Sequence, residues 1–205
     1  MISLEKKIRE GLTKVLPGST AHQKLMKLRK PVSDIKNIEK AKVSAVLVLI
    51  YPRHNIPHIV LIKRHIYNGV HSGQIGLPGG KVEKEDANLI DTALREAHEE
   101  LNIDSNKIEI LGKLTPLYIP PSNFIVNPFV AIQKTSPVFV PDHYEVEKVI
   151  EISLDQFLNL DNLIYTKIKS GNYNKKAWAF QIDNHFIWGA TGMILKELTE
   201  LIAND

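Results

Sequence analysis

Residues 72–104 read SGQIGLPGGKVEKEDANLIDTALREAHEELNID, an apolar run, a glycine turn and an amphipathic helix in immediate succession. On a helix advancing about 100° per residue, Ile90, Ala93, Leu94, Ala97 and Leu101 fall in one stripe wide enough to dock on a core. Glu96, Glu99 and Glu100 stand at i, i+3 and i+4, so they share a second sector beside that stripe. Like charges at this spacing destabilise a helix unless a cation lies among them. A hard divalent ion, Mg²⁺ or Mn²⁺, suits such a site, because it takes oxygen ligands and leaves room for water and phosphate oxygens. Arg95 stands at the spacing that pairs it with Glu99. An ordinary solvated face is the alternative reading of EAHEE, since glutamates are common on exposed helices. Pro78-Gly79-Gly80 shifts the balance: a turn without Cβ atoms lets backbone approach a ligand or metal closely, just ahead of the acidic helix.

Outward from this segment, strand-like and helix-like stretches alternate. The runs 43–51 and 58–64 flank the turn-rich PRHNIP at 52–57, a hairpin signal. Further strands are expected at 107–114, 124–132, 146–152, 176–182 and 185–188, and helices at 87–101, 192–202, 4–16, 21–28 and 154–160. The pattern predicts an α/β (α+β) chain, a mixed sheet with helices on its faces.

Composition narrows the chemistry. With 205 residues, 43% hydrophobic and 24% charged, the chain reads as a folded globular protein rather than a disordered, collagenous or coiled-coil one. Without cysteine there is no thiolate zinc site, iron–sulfur cluster or cysteine nucleophile, so oxygen and imidazole must carry the chemistry. The apolar run 43–51 is about half of a membrane span, and the N-terminus carries charge throughout, unlike a secretory signal. A cytoplasmic protein with no membrane partner is expected. Residues 1–42 hold 11 Lys+Arg against 4 Asp+Glu, a basic and largely helical extension expected to pack on a domain spanning 43–205. Because that arm lacks aromatic residues, it offers no stacking platform, and no nucleic-acid partner is expected. No Walker loop, GxGxxG or nucleophile elbow occurs.

GGKVEKEDANLIDTALREAHEELNI resembles the box of the Nudix hydrolases, with REAHEE, Arg95 to Glu100, matching its Arg-Glu-x-x-Glu-Glu helix. The spacing from Gly80 to Arg95 is one residue longer than the commonest form, Asp86 stands near the place of the first box Glu, and Asn102 replaces a Gly. Asn tolerates the left-handed conformation of a helix C-cap. The lengthened box, VHSGQIGLPGG, LTPLYIPPSNFIVNPFVAI, EVEKVIEISL and HFIWGATGMIL are together similar to the coenzyme A pyrophosphatase branch. Gly69 stands where that branch usually has Arg, and Leu77 where it has Phe.

The resemblance implies a Nudix-like mixed β-sheet sandwiched between α-helices, and a pyrophosphohydrolase using Mg²⁺ or Mn²⁺. It implies Gly80, Glu96, Glu99, Glu100 and Glu145 as metal ligands, Glu96 or Glu99 as general base with Glu145 as an outlying candidate, and Arg95 as the group that orients them. Lys63, Arg64, His71, Ser122 and Asn123 are the candidates for substrate contact, with Lys63, Arg64 or His65 replacing the guanidinium absent at Gly69. His98 points away from the glutamates and reads as surface, whereas Tyr118, Phe124 and Phe129 serve either a nucleotide pocket or the core. The expected partner is a nucleotide-like small molecule, coenzyme A or a relative; a homodimer is left open. ADP-ribose or NADH as substrate, and a non-catalytic ligand-binding module, are the alternatives.

Overall fold

Apolar, β-branched sequence carries β1 (Lys42–Arg53) and β2 (Ile56–Arg64) into an antiparallel hairpin closed by His54 and Asn55, whose φ angles are 50° and 64°. Two successive left-handed residues match the twist of the strands they join. The turn is tighter than the stretch 52–57 suggests, because Pro52 lies directly opposite Pro57 within the ladder. With Arg53 opposite Ile56 closing the turn, the alternation of antiparallel pairs gives the prolines a position where a missing N–H costs no bond.

The computed structural model describes residues 1–27, 31–36, 38–170 and 173–203. β1 and β2 sit in a mixed sheet with β3 (Ile75–Gly76), β4 (Gly79–Lys81), β5 (Ile108–Lys113), β6 (Leu117–Ile119), β7 (Phe124–Gln133) and β8 (Val146–Ser153). The order β3-β2-β1-β7-β5 forms its body, with β4 paired to β1, β6 to β7 and β8 to β2. β1 and β7 run parallel, from Lys42 opposite Phe124 to Ile50 opposite Ile132, and the other pairings are antiparallel. β9 (Leu163–Ser170), β10 (Tyr173–Ile182) and β11 (His185–Trp188) make a second, antiparallel sheet. Sequence periodicity gives no sign of β3, β4 and β6, which are too short to show one, and β9 is held by its pairing with β10.

Successive residues of β1 go to opposite faces. Ala45, Leu47, Leu49 and Tyr51 pack with Ala93, Ala97 and Leu101 of α3 (Leu89–Leu101). Val48 and Ile50 join Met193, Ile194, Leu195 and Leu198 of α5 (Gly189–Ala203) in the other core. The sheet is thus sandwiched between helices, as expected. α1 (Ile2–Thr13) and α2 (Gly18–Leu25) lie on the α5 side, with Ile8 and Ala21 fully buried. A buried polar link ties them in: His22 Nε2 lies 2.8 Å from Glu197 Oε2, and Glu197 Oε1 accepts from the Thr115 amide (3.1 Å) and hydroxyl (2.6 Å). The expected helix 21–28 ends at Leu25, and Leu28 lies outside the described residues. α4 (Leu154–Leu158) follows β8. Among the described residues no helix is long and apolar enough to cross a membrane.

Candidate active site

α3 is firmly capped at both ends. The Asn88 side chain accepts from the amides of Ile90 and Asp91, and Asn102 closes the helix at φ 55°, ψ 39°, the left-handed conformation its residue type allows. Between these caps the helix presents its carboxylates to the turn through Pro78, Gly79 and Gly80.

Arg95 organises them. Its Nε donates to Asp86 Oδ1 (2.9 Å), its Nη2 to Asp86 Oδ2 (3.1 Å) and the Lys81 carbonyl (3.0 Å), and its Nη1 to Glu96 Oε1 (3.0 Å) and Glu99 Oε2 (2.8 Å). Every N–H of the guanidinium fork is engaged, a geometry no ammonium reproduces. The predicted Arg95–Glu99 pair is present, but the bidentate partner is Asp86, which also accepts from the Thr92 hydroxyl and the Glu83 amide. The Arg95 hydrogen bonds hold the Asp86 carboxyl well below the usual carboxylate range.

Glu100 is fully buried, with the Gly79 amide donating to Oε2 (2.9 Å) and Arg64 Nη2 to Oε1 (3.2 Å). Burial outweighs these two partners and pushes its carboxyl up to about 8, with the charges of Glu96 and Glu145 adding to the rise. Glu96, 13% exposed, is also raised, chiefly by burial, against the opposing pull of Arg95. Glu99 is half exposed. Glu145 lies on the exposed approach to β8, and its charge reaches both Glu96 and Glu100.

The glycines are needed for two different reasons. Gly79 has φ 147°, and a Cβ there would stand 2.6 Å from the Val46 Cα and press on the Ala45 carbonyl. At Gly80 a Cβ would overlap the Glu96 carboxylate. The turn therefore brings bare backbone against the acidic helix.

Among the described residues no three carboxylate or imidazole groups already stand together as a metal cage, since Arg95 bridges Glu96 and Glu99. The donor set still fits a hard divalent ion: all its groups are oxygens, two of its carboxylates resist ionisation through burial, and the Gly80 backbone has no side chain in the way. A sign follows for stability. Folding raises both carboxyls above their ordinary 4.5, so the folded state holds protons that the unfolded state has released, and stability is lost as pH rises toward about 8. The melting temperature of metal-free protein is therefore expected to fall between about pH 5 and pH 8.5, and millimolar Mg²⁺ to remove most of that fall. A fall that Mg²⁺ leaves untouched, measured by thermal denaturation, removes these two carboxylates from the metal assignment.

Beside the turn opens a cavity of about 810 Å³. Of the expected substrate contacts, Arg64, His71 and Ser122 line it. Lys63 instead pairs with Glu147, and Asn123 accepts from Tyr118 and donates to the Lys40 carbonyl; neither lines the cavity. Phe124 faces the cavity, whereas Phe129 is buried in the core with α3. His98 binds the Ile103 carbonyl through Nδ1 (3.1 Å), away from the site. Met26 beyond α2 and the segment from Trp188 to Ile194 complete the wall. No periodicity marks these residues, because their roles depend on two ends of the chain meeting.

A NUDIX domain family model matches residues 41–170, more than half of the chain. The chain belongs to the Nudix hydrolase family. The Nudix hydrolase NudL of Yersinia enterocolitica is 35% identical over 159 residues, covering 78% of this chain and 80% of that protein. NudL of Yersinia pestis is 34% identical over 160 residues, covering 78% and 79%. Solved structures agree on the fold alone: the Nudix hydrolase RenU of M. smegmatis superposes with a TM-score of 0.55 at 15% identity, over 80% of this chain and 87% of that one. The C. elegans Ap4A hydrolase gives 0.54 at 14% identity, over 80% and 99%. This Nudix hydrolase is thus a pyrophosphohydrolase of a family that works with divalent metal ions, and its box is the helix and turn described above.

Proposed function

We propose that this Nudix hydrolase cleaves the diphosphate of coenzyme A with Mg²⁺ or Mn²⁺, releasing 3′,5′-ADP and 4′-phosphopantetheine. The supporting observation is the cavity that opens beside Gly79, Gly80 and Arg64 and runs between Val46, Leu77, Ile119, Val126, Met193 and Ile194. A mostly apolar wall of that size suits a long uncharged arm attached to the diphosphate, where a second nucleoside would require more polar partners. A cytoplasmic setting belongs to the same reading.

Glu96, Glu99 and Glu100, with the Gly80 carbonyl, would hold the ion, and Glu145 stands by as a further acidic group. The chemistry a divalent ion supplies when bound is neutralisation of charge on the diphosphate and acidification of water. Arg95 holds Glu96, which packs against Gly80, together with Glu99, and in this reading either would accept the proton of the attacking water. Arg64 holds Glu100 and also faces the cavity, where its cation meets a phosphate oxygen.

One observation favours another nucleoside diphosphate conjugate, ADP-ribose or NADH. A Cβ at Gly69 would stand 2.7 Å from the Tyr67 ring, and residues 65–74 contain no Lys or Arg to replace the branch guanidinium. Chromatography of products from coenzyme A, ADP-ribose and NADH with excess Mg²⁺ or Mn²⁺ separates the readings. Metal-dependent 3′,5′-ADP is the expected result. Cleavage of ADP-ribose or NADH with intact coenzyme A selects the second reading, and no cleavage of any of the three overturns both.

A further inference from the structure

At the Phe124 edge of the cavity stand two lysines that the acidic helix does not use, Lys81 in its wall and Lys42 beside Phe124. Lys81 lies opposite Ser44 across β4 and β1, and Ser44 lies opposite Val126 across β1 and β7. One step back along β1, Lys42 lies opposite Phe124, which in turn faces Ile119 of β6. Paired residues share a face of the sheet, and alternate residues of one strand return to it. Lys42, Ser44 and Lys81 therefore stand on the same face as Phe124 and Val126; of these, all but Lys42 line the cavity. The Lys42 ammonium sits 5.7 Å from the centre of the Phe124 ring. Both lysines are exposed, and among the described residues no carboxylate pairs with either, whereas Lys24, Lys63 and Lys107 each have one.

We propose that Lys42 and Lys81 form an anion subsite at the Phe124 edge of the cavity, which binds a phosphate lying outside the scissile diphosphate: the ribose 3′-phosphate of a nucleoside substrate. Position carries the argument. Lys81 directly follows Gly80, so its Cα is about 3.8 Å from the residue that meets Glu96. Lys42 lies two residues along β1 from the partner of Lys81, about 7 Å farther out. A diphosphate at Gly80 therefore leaves the ribose within reach of two free ammonium groups. A ribose bearing only hydroxyls would leave both cations unanswered. Charge-assisted hydrogen bonds from two lysines give a preference on the order of tenfold. The inference deepens the coenzyme A reading and rests on it, since 3′-dephospho-coenzyme A differs by this phosphate alone.

The test compares coenzyme A with 3′-dephospho-coenzyme A on the full chain with excess Mg²⁺, alongside the double variant Lys42→Gln/Lys81→Gln. Wild type is expected to prefer coenzyme A about tenfold in kcat/KM, mainly through KM. In the double variant that ratio falls close to one, and Lys42→Arg/Lys81→Arg restores it. Equal use of both substrates by wild type, or an unchanged ratio in the Gln variant, overturns the subsite. A second arm needs no turnover: calorimetry of metal-free protein with 3′,5′-ADP and with 5′-AMP. Tighter binding of 3′,5′-ADP that the Gln variant abolishes sustains the subsite even if neither coenzyme is cleaved, in which case only the substrate reading falls. Equal binding of the two nucleotides overturns the subsite itself.

Discussion

Glu96→Gln is expected to lower kcat about 10³-fold while the protein stays folded. The substitution keeps the shape of the side chain and an acceptor for Arg95 Nη1, which lies 3.0 Å away. It removes the charge that is packed against Gly80 and that burial already makes costly. Stability at neutral pH should therefore hold or rise slightly, while metal affinity and turnover fall together. Glu99→Gln should lose turnover to a similar extent, although Glu99 is half exposed and contributes little to packing. If the two carboxylates act as one unit on one ion, the double variant will be little worse than either single one. Steady-state kinetics across a Mg²⁺ titration checks this, and a Glu96→Gln enzyme within tenfold of wild type at saturating metal removes Glu96 from the chemistry.

Neighbouring glycines should fail in opposite ways. In Gly79→Ala the new Cβ meets backbone at Ala45 and Val46, at a φ of 147° that an L side chain rarely adopts. β1 lies between β2 and β7 and cannot move aside. The same shift would also disturb the Gly79 amide that satisfies buried Glu100. A cost of about 4 kcal/mol is expected, lowering the melting temperature by roughly 12 °C in a chain of this size. In Gly80→Ala the obstacle is the far end of the Glu96 side chain, which can rotate away. That variant should keep its fold and lose its activity. Thermal melts and activity on the two proteins decide the matter; an active, stable Gly79→Ala would show that the turn has more room than its geometry indicates.

The helix carrying the box was legible because everything that makes it is local. Apolar spacing, the Asn88 and Asn102 caps and the i, i+3, i+4 glutamates all lie within one short window. The hairpin and strands β5, β7, β8, β10 and β11 were legible for the same reason, whereas β3, β4, β6 and β9 were not, and the turn tightened only because Pro52 and Pro57 meet across the ladder. What no window contained was the identity of each charge's partner. Arg95 was expected to serve Glu99 and is held first by Asp86; Arg64 was expected to serve substrate and also pairs with Glu100. Lys63, one residue from Arg64, points to the opposite face and pairs with Glu147, since adjacent residues of a strand diverge.

Residue chemistry and local periodicity by themselves determined the class of fold and the acidic helix after a glycine turn, and the likeness of that segment to the Nudix box pointed to the family. Tertiary structure decided how deeply each glutamate is buried, and so which carboxyls resist ionisation. It also decided that Met26 and Trp188, from opposite ends of the chain, wall one cavity, and that Lys42 and Lys81 stand on one face of the sheet at its edge. The reason is physical: helix and strand periods follow from the geometry of one stretch of backbone, whereas burial and side-chain partnership depend on strand register and sheet order, which exist only once distant segments have paired.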